Sequence, residues 1–382
     1  MADNSKIEWT DASWNCIRAR NLKTGKVGWH CEHATTGCEH CYSEGFNKRL
    51  GTGLPFKPGH RKDIEIFLDE QMLTQPLRWK KPRKIFVCSM TDAFADFVTD
   101  EMLDKMFAVM ALAPQHTFQV LTKRAKRMRD YFEPEGCVNC GDGQLDGNCC
   151  GEPWVLKDGE GAAFRDAMIE GAAQKIFSQL HPGMGEPSEW LAVHMPLPNV
   201  WLGVSAERQQ EANERIPELQ KTPAAVRFVS LEPLLGPIDL EDLVRGSDGY
   251  EDHHSALECD VAIEDDQEFH GAVVDWVIVG GESGNGARAM HPDWARSLRD
   301  QCNRNDTAFF FKQWGEWAPS APEEARGNPH SGWQAIAAHP HVAKAAELYP
   351  EAGAQFVARV GKKAAGRLLD GVEHNEFPRV PA

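Results

Sequence analysis

The chain contains no run of about 18 apolar residues, so no transmembrane helix is expected. Its first residues, Met1 to Lys6, lack the apolar core of a signal peptide. Both absences favour a cytoplasmic protein, in which cysteine thiols stay reduced. A bulk positive charge is also missing, because the formal net charge is −16. This value argues against non-specific binding of nucleic acid through overall charge.

The negative charge is concentrated in one segment. Residues 241–271 hold eleven acidic residues and one basic residue, so the rest of the chain is only mildly acidic. Two basic stretches, Arg78–Lys84 and Lys123–Arg129, lie outside it. The second is predicted to open a helix, where cations oppose the helix dipole, and this mismatch favours an anionic partner such as phosphate. A solvated helix face is the simpler interpretation.

The chain has eleven cysteines, which in a reducing compartment favour metal ligation over disulfides. Cys31, Cys38 and Cys41 follow a C-x6-C-x2-C spacing, and Gly37 frees the backbone before the close pair. Three thiolates are one short of a closed structural zinc site. They suit a [4Fe–4S] cluster that leaves one iron open for another ligand. A short helix is predicted from Ser43 to Leu50, so the thiolates would lie near a helix N-terminus.

Other ligand sets remain open for this motif. Cys16 could complete a four-ligand zinc site, and so could a nearby histidine. Unligated or disulfide-bonded cysteines are a third interpretation. The histidines concerned are His30, His33 and His40.

A second group of cysteines follows further along the chain. Cys137, Cys140, Cys149 and Cys150 form a C-x2-C pair followed by adjacent cysteines, which could give four thiolates to one metal, most simply zinc. The surrounding loop is rich in glycine and acidic residues and lacks the apolar content to order itself. This composition favours a metal that stabilises the loop.

From residue 82 onward, apolar runs rich in β-branched and aromatic residues alternate with helical patterns. Such runs are typical of strands buried on both faces. Their alternation with helices predicts right-handed βαβ units and a parallel sheet. The runs are 84–88, 117–121, 200–204, 226–229, 275–279 and 308–311, and the predicted helices are 100–112, 123–132, 207–219 and 292–303.

The predicted fold is therefore α/β, with six or seven units in a partial (β/α)6 TIM-like barrel; a doubly wound open sheet is the alternative. Residues 1–317 would form this barrel with the N-terminal cysteine motif. A cysteine-rich insertion at 134–198 and an acidic insertion at 241–271 would interrupt it. Residues 318–382 would be a C-terminal extension that packs on the barrel.

The pattern before residue 82 is weaker. Ile7–Cys16 is predicted to contain a short first strand, and residues 17–29 a loop that leads into the cysteine motif. A polar segment over residues 63–77 is predicted to be helical.

Polar residues follow the predicted strands at the point where each strand ends. In parallel α/β folds the active site lies at the C-terminal ends of the strands, so we expect one pocket that binds cofactor and substrate. Helix capping is the alternative for the serines and threonines, but it explains Asp92, Glu232, Lys312 and Gln313 less well. The candidate residues are Ser89, Asp92, Thr122, Lys123, Ser205, Glu232, Gly280, Gly281, Glu282, Lys312 and Gln313.

Residues 280–286 form a glycine-rich loop directly after a predicted strand. Glycines allow a ligand to approach the backbone closely. The loop is not a strict G-x-G-x-x-G and no helix follows at once, which argues against a dinucleotide fingerprint. A loop that meets the amino-acid end of a small ligand and a plain flexible turn are the two interpretations.

Several segments together resemble a known family. They are 7–11, 31–42, 75–79, 118–124, 201–205, 228–236, 277–284, 310–317 and 366–371. On these segments the chain resembles the phage-associated three-cysteine-motif proteins, which look like a branch of the radical S-adenosylmethionine superfamily. The resemblance covers most of the chain outside the two insertions.

The resemblance implies a partial (β/α)6 barrel in which Cys31, Cys38 and Cys41 hold a [4Fe–4S] cluster. The open iron would bind the amino and carboxylate groups of S-adenosylmethionine, which is cleaved to a 5′-deoxyadenosyl radical. Two features depart from the superfamily pattern. The usual first spacing is C-x3-C, and the usual Gly-Gly-Glu element follows the second barrel strand, whereas Gly280–Glu282 lies much later.

We therefore expect a radical S-adenosylmethionine enzyme that modifies or repairs a nucleic acid or nucleotide, with no catalytic residue assigned. Phosphate contacts would come from the basic stretch through Lys123, Arg124, Lys126 and Arg127. A protein substrate, such as a partner encoded nearby, is the competing expectation. The alternative of another class is a non-catalytic adaptor stabilised by zinc.

Overall fold

A computed structural model of the chain describes most of its residues. They divide into two compact units, of which the first comprises residues 1–32, 43–202 and 221–225 and the second comprises 33–42, 203–220 and 226–382. The described residues are 5–133, 136–137, 155–156, 160–182, 184, 192–245, 252–259, 261–264, 267–270, 272–320, 332–339 and 350–379.

The strands fall in several sheets. In chain order they are β1 (Ala12–Trp14), β2 (Ile17–Asn21), β3 (Val27–Gly28), β4 (Ile64–Leu68), β5 (Lys84–Val87), β6 (Thr117–Thr122), β7 (Gly136–Cys137), β8 (Val155–Leu156), β9 (Val200–Ser205), β10 (Val226–Leu231), β11 (Leu243–Arg245), β12 (Asp252–His254), β13 (Val261–Glu264), β14 (Gln267–His270), β15 (Trp276–Gly280), β16 (Ala308–Gln313), β17 (Trp317–Pro319), β18 (Trp333–Ile336) and β19 (Gln355–Arg359).

A curled parallel sheet of seven strands forms a half-barrel flanked by helices. Its order, β1-β5-β6-β9-β10-β15-β16, is also the order along the chain. A doubly wound sheet reverses its order at a switch point, so the alternative fold is wrong and the partial barrel is confirmed. All six predicted apolar runs are strands of this sheet, and the short first strand is its edge strand β1.

The helices are α1 (Tyr42–Leu50), α2 (Glu70–Leu73), α3 (Asp100–Ala111), α4 (Ala125–Phe132), α5 (Glu160–Leu180), α6 (Gln209–Lys221), α7 (Pro292–Arg304) and α8 (Lys362–Ala365). The helices predicted from periodicity correspond to α1, α3, α4, α6 and α7. Among the residues that the structure describes, every helix is too short or too polar to cross a lipid bilayer.

One prediction for the N-terminal region is wrong, and another holds only in part. Residues 17–29 contain strands β2 and β3 rather than a loop. Residues 63–77 begin with strand β4, and helical structure starts only at α2. In the antiparallel sheet β3-β2-β4, Ile17 pairs with Leu68 and Asn21 with Ile64. Strand β4 contains a single polar residue, Glu65, so it shows no clear alternation of apolar and polar residues, and its partner strand lies more than 40 residues earlier in the chain.

The core of the first unit is aromatic. Trp14 of β1 is fully buried, its ring centroid lies 5.7 Å from that of Phe118 on β6, and its indole NH donates to the carbonyl of Met72 at 2.7 Å. Helix α5 packs on α3 and α4 and buries Ile169, Ala173 and Ile176. The predicted cysteine-rich insertion therefore contains a long helix that sequence analysis did not detect.

The core of the second unit lies around Trp276 of β15. In the parallel register Phe228 of β10 pairs with Trp276, and Trp276 with Ala308 of β16. Phe377, close to the C-terminus, lies with its ring centroid 4.9 Å from that of Trp276. The indole NH of Trp276 also donates to the carbonyl of Glu376 at 2.8 Å. The end of the C-terminal extension thus packs on the strands of its own unit.

The remaining strands belong to the insertions and to the C-terminal extension. In the acidic insertion, β11 pairs with β12 and β13 with β14, each pair antiparallel. Strands β17, β19 and β18 form a three-stranded antiparallel sheet.

Candidate functional site

The cysteine motif lies on a tight turn that leads into α1. Residues Thr36–Cys38 form a 3-10 turn, and the amide of Cys41 donates to the carbonyl of Cys38 at 3.2 Å. Cys38 and Cys41 belong to the second unit and Cys31 to the first. All three are reduced and half-buried, which suits thiols that take up a ligand.

In the first unit, two side chains from strand exits hold the backbone on both sides of Cys31. The hydroxyl of Thr91 donates to the carbonyl of His30. The Nη2 of Arg124 donates to the carbonyl of Glu32 at 2.9 Å. The position of Cys31 is therefore fixed by residues that follow β5 and β6.

The carboxylate of Asp92 is the centre of this arrangement. Its side chain is buried and accepts hydrogen bonds from the Thr122 hydroxyl at 2.6 Å, the Lys123 amide at 3.0 Å and Nη1 of Arg124 at 3.0 Å. The structure thus brings together three of the predicted candidates, Asp92, Thr122 and Lys123. Ser89, the fourth candidate of this unit, exchanges hydrogen bonds with the Asn15 amide at 3.1 and 3.3 Å.

Charges and burial set the protonation of the neighbouring groups. Burial would lower the pKa of Arg124, but Asp92 and the Cys31 thiol outweigh it and raise that pKa, which keeps the guanidinium charged. Burial also lowers the pKa of His30, although the Glu32 carboxylate opposes this effect. His30 is consequently a neutral ring packed between Phe56 and Phe97.

Cys16 differs from the thiols of the motif. It is fully buried and forms a hydrogen bond with Cys88, which, together with burial, holds the pKa of Cys88 well above its usual range. Cys88 has a φ of 58°, in the left-handed region, directly after β5. A buried thiol with a raised pKa is inert, so Cys88 and its contact with Cys16 are structural in the present arrangement.

In the second unit, the turn before Cys38 rests on Glu207, which follows β9. The Thr35 hydroxyl donates to Oε1 of Glu207 at 3.2 Å, and a Cβ at Gly37 would overlap this carboxylate. Glycine is therefore required at position 37 for close packing. Arg215 of α6 lies 3.4 Å from the other carboxylate oxygen and also donates to the Ser205 carbonyl at 2.5 Å.

The glycine-rich loop after β15 also contacts this turn. The Arg288 guanidinium pairs bidentately with Glu282, at 2.7 and 2.9 Å, and its third nitrogen donates to the Thr36 carbonyl at 3.0 Å. Glu39 lies 3.4 Å from the same nitrogen. The hydrogen bond to Glu282 is the main reason that the pKa of Arg288 is raised. Glu282, a predicted cofactor ligand, is thus engaged with an arginine.

Glu232 and Lys312 meet across the end of β15. Strand β15 lies between β10 and β16 in the sheet, yet Oε1 of Glu232 lies 3.0 Å from Nζ of Lys312. A Cβ at Gly280 would lie 2.5 Å from this carboxylate oxygen, so a larger residue at this position would displace the Glu232 side chain. The Ser230 hydroxyl holds the second carboxylate oxygen at 3.1 Å. This ion pair keeps a partly exposed face, so a polar ligand can reach it.

The other candidates of the second unit surround the same strand ends. Nε2 of Gln313 donates to the Ser283 hydroxyl at 2.9 Å, whereas its buried Oε1 accepts no hydrogen bond within the described part of the chain. The Gly281 amide donates to the Gln313 carbonyl at 2.9 Å. The Ser205 hydroxyl donates to the Glu232 carbonyl at 3.4 Å. An unsatisfied buried acceptor is rare and favours a ligand donor at this position.

The cations of α4 face carboxylates of their own unit. Lys126 lies 2.7 Å from Asp130, and Arg127 forms an ion pair with Asp100. Together with the Asp92–Arg124 pair, these ion pairs neutralise much of the positive charge of the basic stretch Lys123–Arg129. A phosphate group would have to compete with carboxylates for these cations.

The donor set fits an iron–sulfur cluster in its chemistry, because its three cysteines are accessible thiols and one lies beside a guanidinium. Within the described ranges, no three His, Cys, Asp or Glu side chains surround a common metal position. The predicted zinc ligands Cys140, Cys149 and Cys150 lie outside the described residues, and Cys137 is described only through its place in β7.

The sequence pattern did not single out Arg288 or Glu207. For Arg124 it predicts a phosphate contact, whereas the guanidinium binds Asp92 and the Glu32 carbonyl. The position of Arg124 two residues after the end of β6 is the only sequence signal for this contact. Arg288 follows a loop of glycines and carries no local signal. Glu207 follows Ser205 at the exit of β9, which is the same signal that singled out the other candidates.

The chain was compared with proteins of known sequence and structure. No curated protein and no solved structure matched it. A family model described as "Protein of unknown function (DUF5131)" matches residues 4–378. This span includes the cysteine motif and the strand exits of both units, so the chain belongs to that family.

Proposed function

We propose that this protein is a radical S-adenosylmethionine enzyme in which the thiolates of Cys31, Cys38 and Cys41 hold a [4Fe–4S] cluster. One observation carries the proposal: within each unit, side chains at or near the strand exits hold the main chain next to the motif cysteines of that unit. In parallel α/β folds the C-terminal ends of the strands form the active site. In this chain, residues that follow β5, β6 and β9 contact the cysteine segment. The phage-type three-cysteine resemblance supports the same function.

When bound, a [4Fe–4S] cluster supplies the electron that cleaves the sulfonium of S-adenosylmethionine to a 5′-deoxyadenosyl radical. The chain's own residues hold the ligands in place. Thr91 and Arg124 orient the backbone around Cys31, and Glu207 and Arg288 orient the turn before Cys38. Fixed polar contacts of this kind lower the cost of gathering thiolates around one centre.

Among the strand-exit candidates, the Glu232–Lys312 pair and Gln313 are best suited to a ligand. Asp92 and Glu282 already bind arginines, whereas the ion pair is partly exposed and Gln313 offers an unsatisfied oxygen. We propose that these three residues bind polar groups of S-adenosylmethionine or of the substrate. Their charges are oriented before the ligand arrives, which favours binding.

For the substrate, the resemblance favours a nucleic acid or nucleotide. A base in a duplex would have to be flipped out of its stack to meet a radical. The ion pairs of α4 reduce the electrostatic support for phosphate contacts at that helix. A protein substrate is the competing proposal, and it requires no basic surface.

The test is anaerobic reconstitution of the purified protein with iron and sulfide. The wild-type protein is expected to turn brown and to show the absorption and EPR signals of a [4Fe–4S] cluster. It should also release 5′-deoxyadenosine from S-adenosylmethionine under reducing conditions. The triple variant C31A/C38A/C41A should lose both properties, whereas C259A, which removes an exposed cysteine outside the motif, should retain them. A colourless wild-type protein that holds only zinc would refute the proposal in favour of the zinc-stabilised adaptor.

A further inference from the structure

The two units use the same device to hold the cysteine segment. In each unit a strand-exit carboxylate fixes an arginine, and that arginine donates to a main-chain carbonyl of the segment. In the first unit the chain of contacts is Asp92, Arg124 and the Glu32 carbonyl, at 3.0 and 2.9 Å. In the second unit it is Glu282, Arg288 and the Thr36 carbonyl, and the last contact measures 3.0 Å.

We propose that Arg124 and Arg288 are positioning residues: Arg124 fixes the main chain next to Cys31, and Arg288 fixes the turn before Cys38 and Cys41. This inference rests on the proposed function for the identity of the cluster that the thiolates would hold. The contacts of the two arginines with the main chain do not depend on that function. The inference also gives the glycine-rich loop after β15 a role, because this loop carries Arg288 to the cysteine turn.

Arginine suits this role for geometrical reasons. Its planar guanidinium offers several N–H donors in fixed directions, so one edge can bind a carboxylate while another donates elsewhere. Arg288 uses Nε and Nη2 for Glu282 and Nη1 for Thr36. A lysine has one charged nitrogen at the end of a flexible chain and cannot hold both partners in the same geometry.

The surroundings of both arginines argue against a purely solvent-facing ion pair. Asp92 is buried, and Arg124 lies close enough to Cys31 for the thiol to influence its pKa. Glu282 is also buried. A Cβ at Gly286 would lie 3.0 Å from the His40 ring, so the loop that carries Arg288 approaches the turn closely. Exposed ion pairs contribute little, whereas charge-assisted hydrogen bonds in such sites are strong.

Substitutions can separate the hydrogen bond that each arginine donates to the main chain from the positive charge that it carries. Replacing Arg288 by methionine removes the hydrogen bond to Thr36 and leaves Glu282 as an uncompensated negative charge in the loop that contacts the cysteine turn. The double variant E282Q/R288M removes the hydrogen bond and both charges. R288K keeps a positive charge but loses the two-sided geometry. R124M, D92N/R124M and R124K form the matching set in the first unit.

The first measurement is hydrogen–deuterium exchange of the cluster-free protein, read for peptides covering residues 30–42. The amides of Cys38, Glu39 and Cys41 are hydrogen-bonded within the turn. We expect R288M, R288K and E282Q/R288M to exchange there about tenfold faster than wild type, as expected for loss of one charge-assisted hydrogen bond. The control R299M, which breaks an exposed pair with Asp370, should not change this exchange.

The second measurement is cluster content and reduction potential after anaerobic reconstitution. R124M and R288M should bind less iron and show a lower potential, because an unpaired carboxylate disfavours the more negative reduced cluster. The potential should return toward the wild-type value in D92N/R124M and E282Q/R288M. Exchange, iron content and potential equal to those of R299M would overturn the inference. A wild-type protein without a cluster would instead refute the proposed function, and exchange would still decide the positioning role.

Discussion

At the scale of single residues, partners decide what a polar side chain does. Asp92 and Glu282 both follow strands of the sheet, and the sequence predicted each as a cofactor contact. In the structure each binds an arginine, Arg124 or Arg288, that holds the cysteine segment. The arginines lie 32 and 6 residues away from these carboxylates along the chain, and no local pattern pairs them. The type of residue at a strand exit is therefore predictable, but its partner is not.

His291 gives a prediction for acid stability. Its Nδ1 accepts from the Asp293 amide at 3.1 Å and caps α7, and its Nε2 donates to the Gly353 carbonyl at 3.0 Å. Only the neutral ring with its proton on Nε2 can do both, and burial lowers the pKa of His291 below its ordinary value of 6.5. The unfolded chain then takes up the proton at higher pH than the folded one, so stability falls as the pH drops through 6.5 toward the folded pKa.

Thermal unfolding between about pH 7.5 and pH 5.5 measures this effect. The variant H291N keeps a capping oxygen but cannot titrate. We expect its free energy of unfolding to fall by about 1 kcal/mol less than that of the wild type over this pH range, because a helix cap contributes about this amount. Buried His116 also has a lowered pKa because of burial, so the variant should retain part of the acid sensitivity. Identical pH profiles for H291N and wild type would show that His291 does not contribute.

At the scale of elements, the sequence predicted what depends on local pattern. Strands buried on both faces read as continuous apolar runs, so β5, β6, β9, β10, β15 and β16 could be predicted from the sequence. Strand β4 could not, because it pairs with β2 across an intervening helix and loop. Helix α5 lies in a segment whose glycines and acidic residues predicted a loop. Contacts with α3 and α4 stabilise this helix.

Arg165 of α5 forms the polar part of those contacts. The guanidinium is buried, lies 2.9 Å from both Asp104 and Asp100 of α3, and donates to the Tyr131 carbonyl of α4 at 2.8 Å. Removing one member of a buried ion pair costs about 3–5 kcal/mol because the partner is left as an uncompensated charge. We therefore expect R165M to lower the free energy of unfolding by about this amount in a urea titration.

The control for this prediction is R296M. Arg296 of α7 also contacts two aspartates, Asp293 and Asp370, but the group is partly exposed. Its loss should cost only about 0–1 kcal/mol. Equal effects of R165M and R296M would mean that the Arg165 network does not attach α5 to the unit.

Helix α4 allows a test of nucleic-acid binding. Because Lys126 and Arg127 already face Asp130 and Asp100, we expect K126A/R127A to change the affinity for DNA or RNA by less than about threefold across a salt series. The exposed lysines of α8, removed in K362A/K363A, serve as the control. A loss of about tenfold or more, with a reduced salt dependence, would restore phosphate contact by α4 and support the nucleic-acid substrate.

At the scale of the whole molecule, the order of the strands carries the most information about the fold. Seven parallel strands follow one another in the sheet as they do along the chain, so each βα unit adds to one edge and the sheet curls in one direction. The alternation of strands and helices predicts this order. The site is less predictable, because it depends on side chains that lie far apart in sequence within each unit.

The two groups of cysteines predict two independent metal centres in one chain. Cys137, Cys140, Cys149 and Cys150 carry enough thiolates for a closed zinc site, whereas the N-terminal motif has one ligand too few. Metal analysis of the reconstituted protein should therefore find about one zinc per chain in addition to iron, as expected for one four-thiolate site. The variant C31A/C38A/C41A should lose the iron and keep the zinc, and C137A/C140A should lose the zinc and keep the iron. Loss of both metals in either variant would mean that the two groups form one centre or depend on each other for folding.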